Sequence, residues 1–316
     1  MKLRFAISGG DPCGIGYEVI AKALVQTGLC KRARVSFCGA GVWWERTISD
    51  LGLQDPGVEI VDVGYAGEIV SGKLSPVGGE YAYRSILSAV DLCKKGEADA
   101  LITAPINKKA LFLAGYSYNG HTELLKELFG TGEVVMFMVS PKMKVGLLTT
   151  HIPIRDVSRM LSFDVIESKV LLIVSALRQF WGIVEPKIAM CGLNPHAGEG
   201  GVMGKEEIEI LAPVCEQLRG RGVDVEGPLP ADTVFLREDF DAFVAVYHDQ
   251  GLIPFKLLSF GKGVNTTLGL PVVRTSPDHG TAMDIAGKGL ANSSSMESAL
   301  LCAEEMVKKW REGFSS

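Results

Sequence analysis

Phe243-Val-Ala-Val-Tyr-His-Asp-Gln-Gly-Leu-Ile-Pro254 passes from an apolar run to a polar cluster and back to apolar residues. Phe243 to Tyr247 reads as a short buried strand. It ends in His248, Asp249 and Gln250, and Gly251 is expected to turn the chain. Polar residues at the C-terminal end of a buried strand are where open α/β sheets place their ligands. The pattern occurs twice more. Val145-Gly-Leu-Leu-Thr-Thr150 runs into His151, and Lys187-Ile-Ala-Met-Cys-Gly-Leu193 runs into Asn194, Pro195 and His196. Three of the five histidines therefore follow apolar strands. Their separations match no short metal motif such as H-E-x-x-H. Parallel strands of one sheet end on one edge, so the three imidazoles either hold a divalent ion with an open coordination position or stand separately in a wet cleft.

Working outward, strands and helices alternate along the chain, which points to an α/β fold with a mainly parallel sheet. Leu3 to Ile7 enters the glycine-rich Ser8-Gly-Gly-Asp-Pro-Cys-Gly-Ile-Gly16, followed by a helix. Such a loop either holds an anion or packs as a tight turn, and its spacing is not G-x-G-x-x-G. Trp43 and Trp44 are adjacent, which suits core or interface positions better than cofactor stacking. Asp99 to Thr103 is a strand running into Asn107 and Lys108, which suit either a carboxylate or phosphate contact or a solvated helix start. Gly120-His-Thr-Glu123 opens a helix that Gly120 or Thr122 can cap. Residues 134 to 150 read as a hairpin, suggesting a central sub-domain. A helix is expected from about Phe163 to Trp181, and another from about Lys205 to Arg219 with a kink at Pro213. Asp278 to Asn292 is a glycine-rich polar loop before the last helix.

The chain has 316 residues, 47% hydrophobic and 22% charged, with a net charge of −5. That composition suits one large or two moderate globular domains. It carries no basic stripe for nucleic acid. No apolar run reaches the ~18 residues of a membrane span. The N-terminus shows no signal-peptide pattern, so the cytoplasm is the expected compartment. Seven scattered cysteines, none spaced C-x-x-C, read as buried thiols rather than disulfides or a structural zinc site.

Eight segments together resemble the 4-hydroxythreonine-4-phosphate dehydrogenase family of pyridoxal phosphate biosynthesis. They are Gly10-Asp-Pro-Cys-Gly-Ile-Gly16, Thr103-Ala-Pro-Ile-Asn-Lys108, Gly120-His-Thr-Glu123, Thr149-Thr-His-Ile-Pro153, Asn194-Pro-His-Ala-Gly-Glu-Gly-Gly201, Pro230-Ala-Asp-Thr233, Tyr247-His-Asp-Gln-Gly-Leu-Ile-Pro254 and Arg274-Thr-Ser-Pro-Asp-His-Gly-Thr-Ala282. They run in the family's order over nearly the whole chain. The departures, Gly9, Cys13 and Tyr17, all fall in the first loop.

The resemblance implies a two-domain, non-Rossmann fold like that of isocitrate and isopropylmalate dehydrogenases. Residues 1–120 plus 262–316 would form the first domain with the nucleotide loop, and 121–261 a second with the metal ligands and the dimer interface. It implies His151, His196 and His248 as ligands of zinc, magnesium or cobalt, in a site shared between two subunits of a homodimer. His121, Thr122, Lys256, Asn265 and Arg274 correspond to substrate contacts. His279, Gly280, Asp284 and Asn292 correspond to the nucleotide loop, with Asp284 near the ribose. A carboxylate there favours NAD, with NADP the alternative. The implied reaction is oxidation and decarboxylation of 4-phosphooxy-L-threonine to 3-amino-2-oxopropyl phosphate. Asp249 would orient an imidazole or move a proton, and Lys108 would protonate the enol carbon. The nearest rival is a D-threonate or D-erythronate 4-phosphate dehydrogenase. More distant rivals are an acyltransferase like phosphate acetyltransferase and a metal-binding module without activity.

Overall fold

In the computed structural model, residues 2–64, 67–118, 120–259 and 261–313 are described. The chain divides into two compact units. The first comprises Met1–Thr131 and Leu270–Lys308, the second Gly132–Gly269 and Lys309–Ser316.

The first unit carries strands β1 (Leu3–Ser8), β2 (Ala33–Gly39), β3 (Glu59–Asp62), β4 (Ala100–Thr103) and β11 (Val273–Pro277). Their order is β3-β2-β1-β4-β11, with every pairing parallel. Strands covered on both faces read as continuous apolar runs, and Phe5, Ala6 and Ile7 are all buried. The helices Pro76–Lys94 and His121–Phe129 cover one face, packing Ile86, Ala89, Leu124 and Leu125 onto Ala6 and Leu101. The helix Gly16–Thr27 follows the first loop.

The second unit carries β5 (Val135–Val139), β6 (Lys144–Leu147), β7 (Lys187–Cys191), β8 (Asp224–Leu229), β9 (Ala242–Ala245) and β10 (Val264–Leu268). Their order is β10-β5-β6-β9-β7-β8. β5 runs antiparallel to β10 and β6, forming the expected hairpin, and the remaining pairs are parallel. Thus β6, β9 and β7, the three strands that precede His151, His248 and His196, are neighbours whose C-terminal ends share one edge.

The units part at 131/132 and 269/270 rather than at 120/121 and 261/262. The helix His121–Phe129 stays with the first unit because Leu124 and Leu125 join its core. β10 stays with the second because it pairs along its length with β5. His121 and Thr122 therefore belong to the first unit, and Asn265 to the second.

Two local expectations are corrected. Gly251 does not turn the chain: the helix His248–Ser259 starts at the strand-end histidine itself. A Cβ on Gly251 would lie 2.8–2.9 Å from Val145, Ala245 and Leu147, so the glycine lets the helix lie directly on the sheet. The helix around Pro213 does not simply kink. A π-turn, Glu207–Leu211, precedes an α-helix Ala212–Gly220. Pro213 has no amide hydrogen to give to the preceding turn, and a wider turn accommodates that loss. Among the described residues, no helix is long and apolar enough to cross a membrane.

Candidate active site

In the second unit, the ends of β6, β9 and β7 are tied together by polar bonds. Thr149 donates both its amide and its hydroxyl to Val246 O, at 3.1 and 2.7 Å. The Gln250 side chain accepts from Val246 N and donates to Gly192 O, each at 2.7 Å, bridging β9 to β7. These bonds bring His151 and His248 to a ring-centroid separation of 5.6 Å. His248 Nδ1 bonds Asp249 Oδ1 at 2.7 Å. A carboxylate on one ring nitrogen fixes the orientation of the other, the arrangement by which metal-binding histidines are commonly supported.

His196 follows β7 on a loop of unusual backbone. Five consecutive residues, His196 to Gly200, have left-handed φ and ψ, and three of them carry side chains. Such residues are strained and cluster at functional sites. His196 is exposed, and its Nδ1 bonds Glu199 Oε2 at 3.1 Å. Among the described residues, no three His, Cys, Asp or Glu side chains form a group able to hold a metal ion. His151 and His248 are therefore paired, without His196 completing a three-ligand set in the single chain. Lys256 lies exposed on the helix that begins at His248, and Asn265 lies on β10 opposite Met138.

In the first unit, Ser8 and Thr103 end the parallel strands β1 and β4, and Arg274 is the second residue of β11. Register places them on one face, since Ser8 pairs with Thr103, and Arg274 with Leu101 two residues before it. Arg274 is buried, and its Nη2 donates to Thr103 Oγ1 at 2.6 Å. Burial pushes its guanidinium down to about 9. His121 begins the helix that covers this face. Enclosure of its ring, and next the Arg274 charge, hold its pKa well below the ordinary histidine value. The residue as a whole is partly exposed, but its Nε2 is enclosed. Ser8 Oγ, Asp11 Oδ2 and His121 Nε2 are buried without a hydrogen-bond partner among the described residues. Burial also raises the Asp11 carboxyl. A buried guanidinium beside an imidazole held neutral, with the Ser8 hydroxyl on the same face, suits an anionic, hydrogen-bonding ligand. Lys108 is exposed, with its Cε 3.8 Å from where a Cβ on Gly120 would stand, so it lies next to the start of the His121 helix. Gly120 is the N-cap of that helix, and Thr122 lies in its first turn.

The loop after β11 also belongs to the first unit. His279 Nδ1 lies 3.0 Å from Gly280 O. Asp284 is exposed, with its carbonyl accepting from Lys288 Nζ at 2.7 Å. Asn292 accepts from Ser294 N and Oγ, and so caps the last helix, Ser294–Gly313. Glu18 went unnoticed in the sequence. Its carboxylate accepts from Ala291 N at 2.8 Å and from Lys22 Nζ, which also donates to Gly289 O and Ala291 O. The glycine-rich first loop packs against this segment: Ile15 N donates to Thr281 O, and a Cβ on Gly14 would lie 2.7 Å from that oxygen. Its glycines thus serve close packing. Trp44 is buried against Phe37 and Tyr17, and Trp43 lies under Arg46.

Residues 31–303 match the family model described as pyridoxal phosphate biosynthetic protein PdxA. The chain is 40% identical to a 4-hydroxythreonine-4-phosphate dehydrogenase of Marinobacter nauticus, over 96% of this chain and 95% of that one. It is 43% identical to a D-threonate 4-phosphate dehydrogenase of Cupriavidus necator, with 96% of each covered. The crystal structure of a 4-hydroxythreonine-4-phosphate dehydrogenase from Klebsiella pneumoniae superposes with a TM-score of 0.87 at 39% identity, covering 97% of this chain and 98% of that one.

Proposed function

The chain belongs to the PdxA family and is a dehydrogenase, and on that premise we propose that it oxidises 4-phosphooxy-L-threonine with decarboxylation to 3-amino-2-oxopropyl phosphate, using NAD and a divalent metal ion. The observation that carries this reading is the His151–His248 pair at the ends of adjacent parallel strands, with Asp249 orienting His248. Neutral imidazoles leave a divalent ion its full charge, so the donor set fits zinc or cobalt better than magnesium, which prefers oxygen ligands. His196 is the third ligand, supplied by a second copy of the chain. A homodimer is further supported by apolar side chains that the second unit leaves more than half exposed, among them Val202, Ile208, Leu236, Ile253 and Leu257.

When bound, the ion supplies Lewis acidity and the nicotinamide a two-electron acceptor. The chain's own residues do the rest. Arg274, with Thr103 fixing its fork, grips the phosphate or carboxylate. His121, held neutral, gives and accepts hydrogen bonds without adding charge. Thr122, Lys256 and Asn265 are further substrate contacts. In this reading Lys108 returns a proton to carbon after carbon dioxide leaves, and Asp249 orients His248 or moves a proton. His279, Gly280, Asp284 and Asn292 form the nucleotide segment, in which the exposed Asp284 suits a ribose diol and so NAD over NADP.

The Cupriavidus relative favours a second reading, oxidation of D-threonate or D-erythronate 4-phosphate, since it is as similar as the 4-hydroxythreonine-4-phosphate enzymes. Following NAD reduction with each phosphorylated acid, before and after chelation and zinc repletion, decides between them. Turnover of the amino acid that chelation abolishes is the expected result. Turnover of the hydroxy acid alone selects the second reading, and chelator-insensitive turnover overturns the metal assignment.

A further inference from the structure

The left-handed run that carries His196 is held from beneath by a single buried carboxylate. Glu207 is 2% exposed. Its Oε1 accepts the backbone N–H of Asn194 at 2.7 Å, and its Oε2 accepts the Asn194 side-chain amide at 2.9 Å. Asn194 is the N-cap residue from which the run departs. The same carboxylate underlies the middle of the run: a Cβ on Gly198 would stand 2.7 Å from Oε2. It also reaches the strand side, where a Cβ on Gly192 would stand 3.3 Å from Oε1 and 2.9 Å from Ala197 Cβ. Glu206 Oε2 accepts from the same Asn194 amide at 2.8 Å. Two successive acids reach one amide where the helix opens into the π-turn beginning at Glu207.

We infer that Glu207 is a positioning residue: it holds Asn194 and the run from 196 to 200 in their left-handed form, so that His196 is presented toward a divalent ion that Glu207 itself does not touch. This rests on the reading of His196 as a ligand. A glutamine at 207 would put an NH2 group against one of the two Asn194 donors and lose that bond. Gly198 offers an independent route to the same contact, because a methyl group there collides with Glu207. Gly200 is the matched control, with a comparable φ of 64° and nothing within 4 Å of an added Cβ.

The test titrates zinc into the full-length protein in competition with a chromophoric chelator, comparing wild type with Glu207→Gln, Gly198→Ala, Gly200→Ala and His196→Ala. Removing a residue that supports a metal ligand costs roughly ten-fold or more in metal affinity, the loss expected for Glu207→Gln and Gly198→Ala, with Gly200→Ala within about three-fold of wild type. Amide hydrogen exchange over residues 196–203 should quicken in the two weakened variants, and turnover should recover at saturating zinc. Should Glu207→Gln not fold, Gly198→Ala carries the comparison. Wild-type affinity in both, with His196→Ala impaired, overturns the inference and leaves the ligand assignment standing. Equal affinity in wild type and His196→Ala overturns the ligand assignment itself.

Discussion

His121 and Arg274 show how a buried cation shapes its neighbour. The imidazole is enclosed and faces a guanidinium, so its folded-state pKa lies below the value of about 6.5 it has when unfolded. Proton uptake therefore favours the unfolded chain. The stability tied to a neutral His121 is fully present above the unfolded pKa and is lost as pH falls from there toward the folded one. Urea denaturation from about pH 8 down to about pH 5 should show wild type losing more stability than His121→Asn, which has no proton to take up in that range. Equal acid losses in the two proteins would count against this account. His121 stood out as a helix-start polar residue in the sequence, but its enclosure against Arg274 did not. That needs β11, far along the chain, to pair beside β4.

Among elements, the helix His248–Ser259 is the one whose packing most constrains the chemistry. Gly251 lies three residues beyond His248, in contact distance of three sheet side chains. Gly251→Val should overpack this seam and cost about 1–3 kcal/mol, read as a lower melting temperature and a lower urea midpoint. It should also reduce zinc affinity, because the helix start carrying His248 has to lift. The strand-end histidines were legible because each follows an uninterrupted apolar run, a pattern that survives without any knowledge of tertiary contacts. Gly251 was misread because Asp-Gln-Gly has the composition of a turn, whereas here a missing side chain serves helix-to-sheet contact. Glu207 and Glu18 were invisible for a different reason. Charged residues on amphipathic helices read as solvent-facing, and only a folded chain shows each carboxylate turned inward onto backbone amides.

For the whole molecule, the parallel run β6-β9-β7 accounts for one edge bearing all three histidine segments, yet among the described residues no three-ligand group forms within one chain. A site completed by a second copy makes a specific demand on mixed dimers. His196→Ala and His248→Ala should each be inactive alone. Co-refolded in equal amounts, they should recover about a quarter of wild-type turnover, since half the dimers are mixed and each holds one intact set. No recovery, with mixed dimers verified by mass, would mean that His196 and His248 serve the same subunit's site and would overturn the shared site. The alternation of strands and helices already marked the α/β class and the central hairpin. The unit boundaries were less legible, because helix His121–Phe129 and strand β10 take their allegiance from packing partners rather than from any composition change around them.

The bond from Ile15 to Thr281 has a mechanical corollary. Together with the grip of Glu18 on Ala291, it rivets the opening loop of the chain to the segment after β11 at two points. Cutting either fastening, as Glu18→Gln would, should therefore loosen both stretches together, read as faster amide exchange at Ile15 as well as at Ala291.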